Sequence, residues 1–321
     1  MNSVKSIVLT LAIVATAGII VASCSSFPVR ESTPIEGLTL ESVQGRHPGG
    51  IAHERVVVGL ALGGGGLRGL AHIGVLQALE EAGIHPDLVV GTSAGALVGA
   101  AYASGKTPRE IEELAREVDI PSFVDFTFSS GGIMRGDNIA AWVNGVAGMS
   151  IETFPTRYAA IATDLERGVP VLLERGSPGD AVRASVAVPG VQVPVTYRGG
   201  HLVDGGISSL VPVRAARALG ADVVIAVDIY CHASQAVELS AASVLRRTMQ
   251  TQTCLLAANE LAEADIQILP AVIAPGISNK ETQQHAIKVG YEAARKTLAS
   301  ADLTALLKAA GSAKLLAERG P

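Results

Sequence analysis

VVVGLALGGGGLRGLAHIGVLQALEEAGIHPDLVVGTSAGALVGAAYAS, residues 56–104, contains two strand, turn and helix units in succession. Val56 to Leu62 is a near-continuous aliphatic run of strand length, the pattern of a strand buried on both faces. Four consecutive glycines, Gly63 to Gly66, end it. From Leu67 to Ala82 apolar residues recur at helical spacing through Leu70, Ile73, Leu76 and Leu79, and Gly83 supplies the stop. Leu88 to Val90 reads as a second short strand, and after Gly91-Thr92-Ser93-Ala94-Gly95 the chain becomes a helix of small residues to about Ser104. Ser93 is therefore expected at a strand-to-helix turn.

The same alternation continues downstream. Helical patterns over Ile111 to Val118 and Asp180 to Val186 are interleaved with strand patterns over Tyr158 to Thr163 and Val223 to Asp228. Such a sequence predicts an α/β sandwich with a mainly parallel sheet. Leu239 to Ala264 and Glu281 to Leu298 read as long amphipathic helices that close the fold. A chain of 321 residues, 48% apolar and 3% aromatic, can bury one substantial core, so one catalytic domain over residues 55–321 is expected. The formal net charge of -5 and the scattered basic residues exclude a cationic surface for nucleic acid.

The N-terminus carries a different signal. Lys5 precedes an apolar stretch from Ile7 to Val21 that is short for a bilayer span, so residues 1–23 read as a secretory signal peptide. Val21-Ala22-Ser23-Cys24 resembles the bacterial lipoprotein cleavage box, which would make Cys24 a lipidated N-terminus. An ordinary signal peptide or uncleaved anchor with an incidental Cys24 is the alternative. Residues 24–54, rich in Pro, Ser, Gly and charge without periodicity, read as a lipid-anchored tether. The expected address is the bacterial cell envelope, on the periplasm-facing side of the outer membrane, since Ser25 and Ser26 offer no inner-membrane retention signal by analogy with enterobacterial sorting. Cys231 and Cys254 are the remaining cysteines, read as small buried hydrophobes, with a disulfide permitted by the compartment.

Three constellations carry chemistry. In Gly91-x-Ser93-x-Gly95, flanking glycines let a sharp turn project the serine hydroxyl, and the helix behind it favours developing negative charge. In Gly63-Gly64-Gly65-Gly66-Leu67-Arg68-Gly69, backbone amides can converge on an anion, as an oxyanion hole requires. The spacing Gly64-x-Gly66-x-x-Gly69 also satisfies the dinucleotide fingerprint, but the second strand ends in Gly91-Thr92-Ser93 instead of the acidic residue that would hold a ribose. Asp204-Gly205-Gly206 puts a carboxylate at the end of a short strand, where it either enters a cleft or forms a plain Asp-Gly turn.

Together these blocks resemble the patatin-like phospholipases, over about Arg55 to Asp228. Gly63 to Gly69 is similar to that family's oxyanion loop, Gly91 to Gly95 to its nucleophile elbow and Asp204 to Gly206 to its second catalytic block. Ala162-Thr163-Asp164-Leu165, Arg183-Ala184-Ser185, Val188-Pro189-Gly190 and Arg217 to Asp222 add to the likeness. Leu62, where many members have Asp, and Ser209 or Leu210, where Asn is usual, depart from it. The resemblance implies a three-layer α/β/α sandwich and a lipid acyl-ester hydrolase; no cofactor is expected, and no metal-ligand spacing or calcium-loop pattern appears. It further implies a Ser93–Asp204 dyad, with the Gly64, Gly65 and Gly66 amides on the oxyanion. Arg68 would orient the loop or meet a lipid phosphate, or else lie solvated. Lipid substrate and membrane are the implied partners.

Other readings remain open from the residues. A Ser, Asp, His triad would use His232 or His285 as base with Asp204 as orienter; His72 reads as a packing residue. A dinucleotide-binding oxidoreductase and a catalytically silent lipid-binding lipoprotein are the competing classes. Phe123, Phe126 and Phe128 read either as a satellite core cluster or as the lining of a lipid entrance.

Overall fold

A computed structural model describes residues 35–46, 55–118, 120–148, 150–198, 200–233, 239–273, 279–302 and 305–311. The segment expected as a signal peptide and Cys24 lie outside these residues. In chain order the elements are β1 (Leu38–Thr39), α1 (Leu40–Arg46), β2 (Val58–Leu62), α2 (Leu70–Glu81), β3 (Leu88–Thr92), α3 (Ala94–Ala103) and α4 (Pro108–Glu117). They continue as β4 (Phe126–Ser129), β5 (Gly132–Met134), α5 (Asp137–Ala147), β6 (Arg157–Asp164), β7 (Val169–Leu173), α6 (Pro178–Ser185), β8 (Val195–Tyr197) and β9 (Gly200–Asp204). The last are α7 (Val213–Ala218), β10 (Val223–Val227), α8 (Ala241–Leu261), β11 (Ile266–Ile268) and α9 (Lys280–Ser300).

The main sheet has the order β1-β7-β6-β3-β2-β10-β11, with β8 and β9 attached through a β9–β6 pairing. From β6 to β11 the neighbours are parallel, whereas β7, β9 and β1 run antiparallel to their partners. Each central strand is buried on both faces, and alternate residues serve different helix layers. Leu60, Leu62, Val89, Ala160, Ile225 and Val227 pack with α2, α3, α6 and α9, while Ala61, Val90, Ile161, Val224 and Ala226 pack with α7 and α8. The expected three-layer α/β/α sandwich is what forms.

Part of the stretch expected as a tether is folded. Leu38 and Thr39 pair with Leu172 and Val171, and Val43 on α1 is fully buried in the second core. Four aliphatic side chains, Ile35, Leu38, Leu40 and Val43, among twelve residues give no usable period, and the partner strand lies more than a hundred residues away. Burial of Val43 alone is worth roughly 1.5–3 kcal/mol.

The aromatic segment divides. Phe123 packs edge-on against Trp142 with ring centroids 5.6 Å apart, a satellite contact, while Phe126 on β4 is 77% exposed. Asp125 between them accepts N–H bonds from Arg135, Gly136, Asp137 and Asn138, tying the β4–β5 hairpin to the start of α5. Its carboxyl oxygens satisfy two of the orphan donors of that helix end, the N–H groups of Asp137 and Asn138.

Candidate active site

Strand β6 is the template of the site. Its residues Ala160 to Asp164 pair with β7 along one edge, so the other edge must serve both β3 and β9. On that edge Ile161 stands opposite Thr92, the last residue of β3, and Ala162 stands opposite Asp204, the last residue of β9. β9 runs against β3, so the two strands meet end to end. The residue after Thr92 and the final residue of β9 are brought together from 111 positions apart, and Ser93 Oγ donates a hydrogen bond of 2.7 Å to Asp204 Oδ2.

Ser93 sits at φ 53° and ψ -118°, the one non-glycine residue with positive φ among the described residues. That strain is held from three sides. Its N–H donates to Ser185 Oγ over 2.8 Å, its carbonyl accepts from Ala96 and Leu97 at the start of α3, and Thr92 Oγ1 anchors to the Ser209 carbonyl over 2.9 Å. A non-glycine residue in this region costs on the order of 1–3 kcal/mol and is found where a side chain must be aimed. The turn also needs Gly91 and Gly95. A Cβ on Gly91 would lie 2.4 Å from the Gly95 carbonyl oxygen, and one on Gly95 would lie 2.1 Å from the Leu62 carbonyl oxygen.

Asp204 divides its carboxylate between two donors, Ser93 Oγ on Oδ2 and Gly206 N–H on Oδ1 at 2.8 Å. Its backbone is fixed by the Ala187 carbonyl and by Thr163 Oγ1, which donates to the Asp204 carbonyl. Burial pushes the carboxyl up to about 6, against the two hydrogen bonds, which favour the ionised form.

The glycine loop lies directly alongside. A Cβ on Gly64 would come 3.3 Å from Ser93 Cβ and 3.2 Å from Leu210 Cδ1, so any side chain there would press on the serine. The Gly64 N–H, expected to face an oxyanion, is already bonded to the Leu210 carbonyl over 3.0 Å. The Gly65 and Gly66 amides make no hydrogen bond among the described residues. Sequence spacing made the three glycines equivalent; the neighbouring 209–212 segment makes them unequal.

A family model described as Patatin-like phospholipase matches residues 60–217, the span that holds the glycine loop, Ser93 and Asp204. Over that span the chain is similar to the patatin-like phospholipases. An uncharacterised NTE family protein of Mycobacterium tuberculosis is 41% identical over 176 residues, 54% of this chain and 49% of that protein. Lysophospholipase NTE1 of Meyerozyma guilliermondii is 37% identical over 179 residues, again 54% of this chain but 12% of that protein. The chain thus spans about half the length of its mycobacterial relative. In fold, the chain is similar to the crystal structure of VipD from Legionella pneumophila, with a TM-score of 0.54 at 16% identity over 86% of this chain and 72% of that one.

The remaining sequence candidates take definite positions around the patatin-like site. Arg68 is buried: its Nε donates to the Val272 carbonyl over 3.0 Å, and its guanidinium lies 5.0 Å from the centre of the Tyr230 ring. Its Nη1 donates to the Gly65 carbonyl within the loop over 3.5 Å. Neither histidine of the alternative triad is hydrogen-bonded to Ser93 or Asp204. His232 Nε2 is 3.0 Å from Asp228 Oδ2, a contact that raises its pKa, and His285 lies exposed on α9. His72 is fully buried, bonds the Gly63 carbonyl over 2.8 Å and is pushed down to about 4 by burial, so it supports the glycine loop as a neutral ring.

Two features escaped the sequence reading. Glu260 on α8 is buried and accepts from Ser209 Oγ and the Arg214 N–H, and so fixes the segment whose carbonyls hold Thr92 and Gly64. Burial raises its pKa. Cys231 and Cys254, read as small buried hydrophobes with a disulfide left open, are joined in a disulfide that ties the segment after β10 to α8. A lone glutamate in an amphipathic helix and two unpatterned cysteines carry no local signal of either role.

Proposed function

We propose that this protein is a serine acyl-ester hydrolase acting on phospholipids or related lipid esters through Ser93 and Asp204. The observation that carries the reading is the 2.7 Å hydrogen bond from Ser93 Oγ to Asp204 Oδ2, formed beside two glycine amides without other acceptors among the described residues. Asp204 accepts the Ser93 proton as Oγ attacks the acyl carbonyl carbon. The negative charge that develops on the carbonyl oxygen is met by the Gly65 and Gly66 N–H groups and by the N-terminus of α3. Collapse of the tetrahedral species breaks the ester C–O bond, and Asp204 returns the proton to the departing alcohol. Water then attacks the acyl-serine, again with Asp204 as base, and the fatty acid leaves with Ser93 restored. A carboxyl that ionises near 6 is a better base for this task than an ordinary aspartate.

Labelling with a fluorophosphonate and profiling of hydrolysed lipids test the reading. Capture at Ser93 is expected, with loss of both label and hydrolysis by at least about a thousandfold in Ser93→Ala. His232→Ala and His285→Ala are expected to retain turnover while Asp204→Asn loses it; the reverse would reinstate the histidine triad. No label combined with stabilisation by a nicotinamide cofactor would favour the dinucleotide class, and neither result would leave a lipid-binding protein. The envelope address rests on the Cys24 motif and is supported by the Cys231–Cys254 disulfide, which suits an oxidising compartment. Palmitate incorporation that disappears in Cys24→Ser is the expected result.

A further inference from the structure

Helix α8 carries apolar side chains outward as well as inward, where Ala257 and Leu261 join the second core. Its inward residues include Gln250 and Glu260, which hold Tyr230 and the 209–214 segment, whereas Leu245, Met249, Leu255 and Leu256 face outward at 64%, 48%, 69% and 65% exposure. A surface helix of a water-facing domain normally keeps its outer face polar, and an exposed apolar face marks a binding surface. The N-terminal half of this helix stands beside the proposed mouth. Gln250 donates to the carbonyl of Tyr230, whose ring meets Arg68 at the end of the glycine loop. Leu67 on that loop and Ile207 just after the Asp204 turn are themselves exposed.

We propose that the outward face of the first half of α8, with Leu67 and Ile207, docks on an anionic lipid bilayer and presents the Ser93 cleft to it. This rests on the lipid-hydrolase reading. Three observations favour a bilayer over a protein. The face is aliphatic and carries no aromatic anchor of the kind that dominates protein interfaces. Arg246 is exposed within it, makes no ion pair among the described residues, and lies close enough to the Arg68 guanidinium for their charges to repel. Aliphatic side chains interleaved with unpaired arginine suit insertion at the headgroup boundary of anionic lipid. The face is also continuous with the mouth where an acyl ester would have to enter.

The test uses the full-length chain in a Ser93→Ala background, so that docking is read apart from hydrolysis. An environment-sensitive nitrobenzoxadiazole label is placed through Leu245→Cys or, as a control on α9, Glu292→Cys. With vesicles of phosphatidylglycerol and phosphatidylcholine, the label at 245 is expected to shift to the blue and escape an aqueous quencher, while the label at 292 stays accessible. Pure phosphatidylcholine, or added Arg246→Glu, is expected to reduce the shift at least threefold. In the catalytically competent chain, Leu245→Ser with Met249→Ser is expected to lower hydrolysis of vesicle phospholipid about tenfold and to leave a soluble short-chain ester within twofold. A label at 245 that remains open to the quencher overturns the proposal. So does protection without lipid in a chain that sediments as a dimer, which would make the face a contact between copies. Wild-type chain that docks but hydrolyses no ester would refute the hydrolase reading and leave the docking surface standing.

Discussion

Asp204 is partly buried and desolvated yet must ionise to act as a base, and the two demands oppose each other. In the unfolded chain its carboxyl ionises near 3.8, in the folded chain near 6. Between those pH values the folded state holds more protons than the unfolded one, so stability falls as pH rises, and the penalty is complete above about 6. It is on the order of 2–3 kcal/mol. Asp204→Asn keeps an oxygen for one donor and removes the buried charge. Its thermal midpoint is expected to exceed that of the wild type by several degrees at pH 8, with the gain gone near pH 4, while ester hydrolysis is lost. The ionised form is the base, so kcat/KM for a soluble ester is expected to fall about tenfold per pH unit below about 6. A pH series of melting curves and rates checks both. Ser93 was legible as the turn residue because its flanking glycines are local, whereas the raised pKa of Asp204 comes from surroundings that no local pattern announces.

At the scale of elements, the site depends on how closely α3 follows β3. The backbone of Gly95 lies against the end of β2, and a methyl group there would come 2.1 Å from the Leu62 carbonyl oxygen. Gly95→Ala is therefore expected to cost about 3 kcal/mol or more and to abolish activity, since the collision pushes the serine turn away from the glycine loop. Gly66→Ala is the contrast: φ is +57° but the space is open, so a cost of only about 1 kcal/mol is expected. Urea midpoints of the two variants measure the difference. Strands β2, β3, β6 and β10 and the long helices α8 and α9 were legible because unbroken aliphatic runs and helical periods are written locally. The fold of residues 35–46 was not, because β1 exists only by pairing with β7 and α1 only by sealing the second core.

Across the whole molecule, the disulfide joins two segments that support the site from outside. Cys231 adjoins Tyr230, on which Arg68 stacks, and Cys254 lies on the helix that carries Glu260. Closing a loop of 23 residues removes about 3 kcal/mol of unfolded-chain entropy. Reduction, or the paired Cys231→Ser and Cys254→Ser substitution, is expected to lower stability by roughly that amount, as calorimetry with and without reductant would read. The sequence by itself determined the α/β alternation, the glycine loop, the serine turn and the candidate acid, because each is a short run whose chemistry depends on adjacent residues. Only the tertiary structure decided that Ser93 meets Asp204, that Gly64 spends its amide on Leu210 and that His232 turns to Asp228. Those contacts are set by strand register along β6 and by loops packed from distant parts of the chain, where sequence separation carries no information about distance.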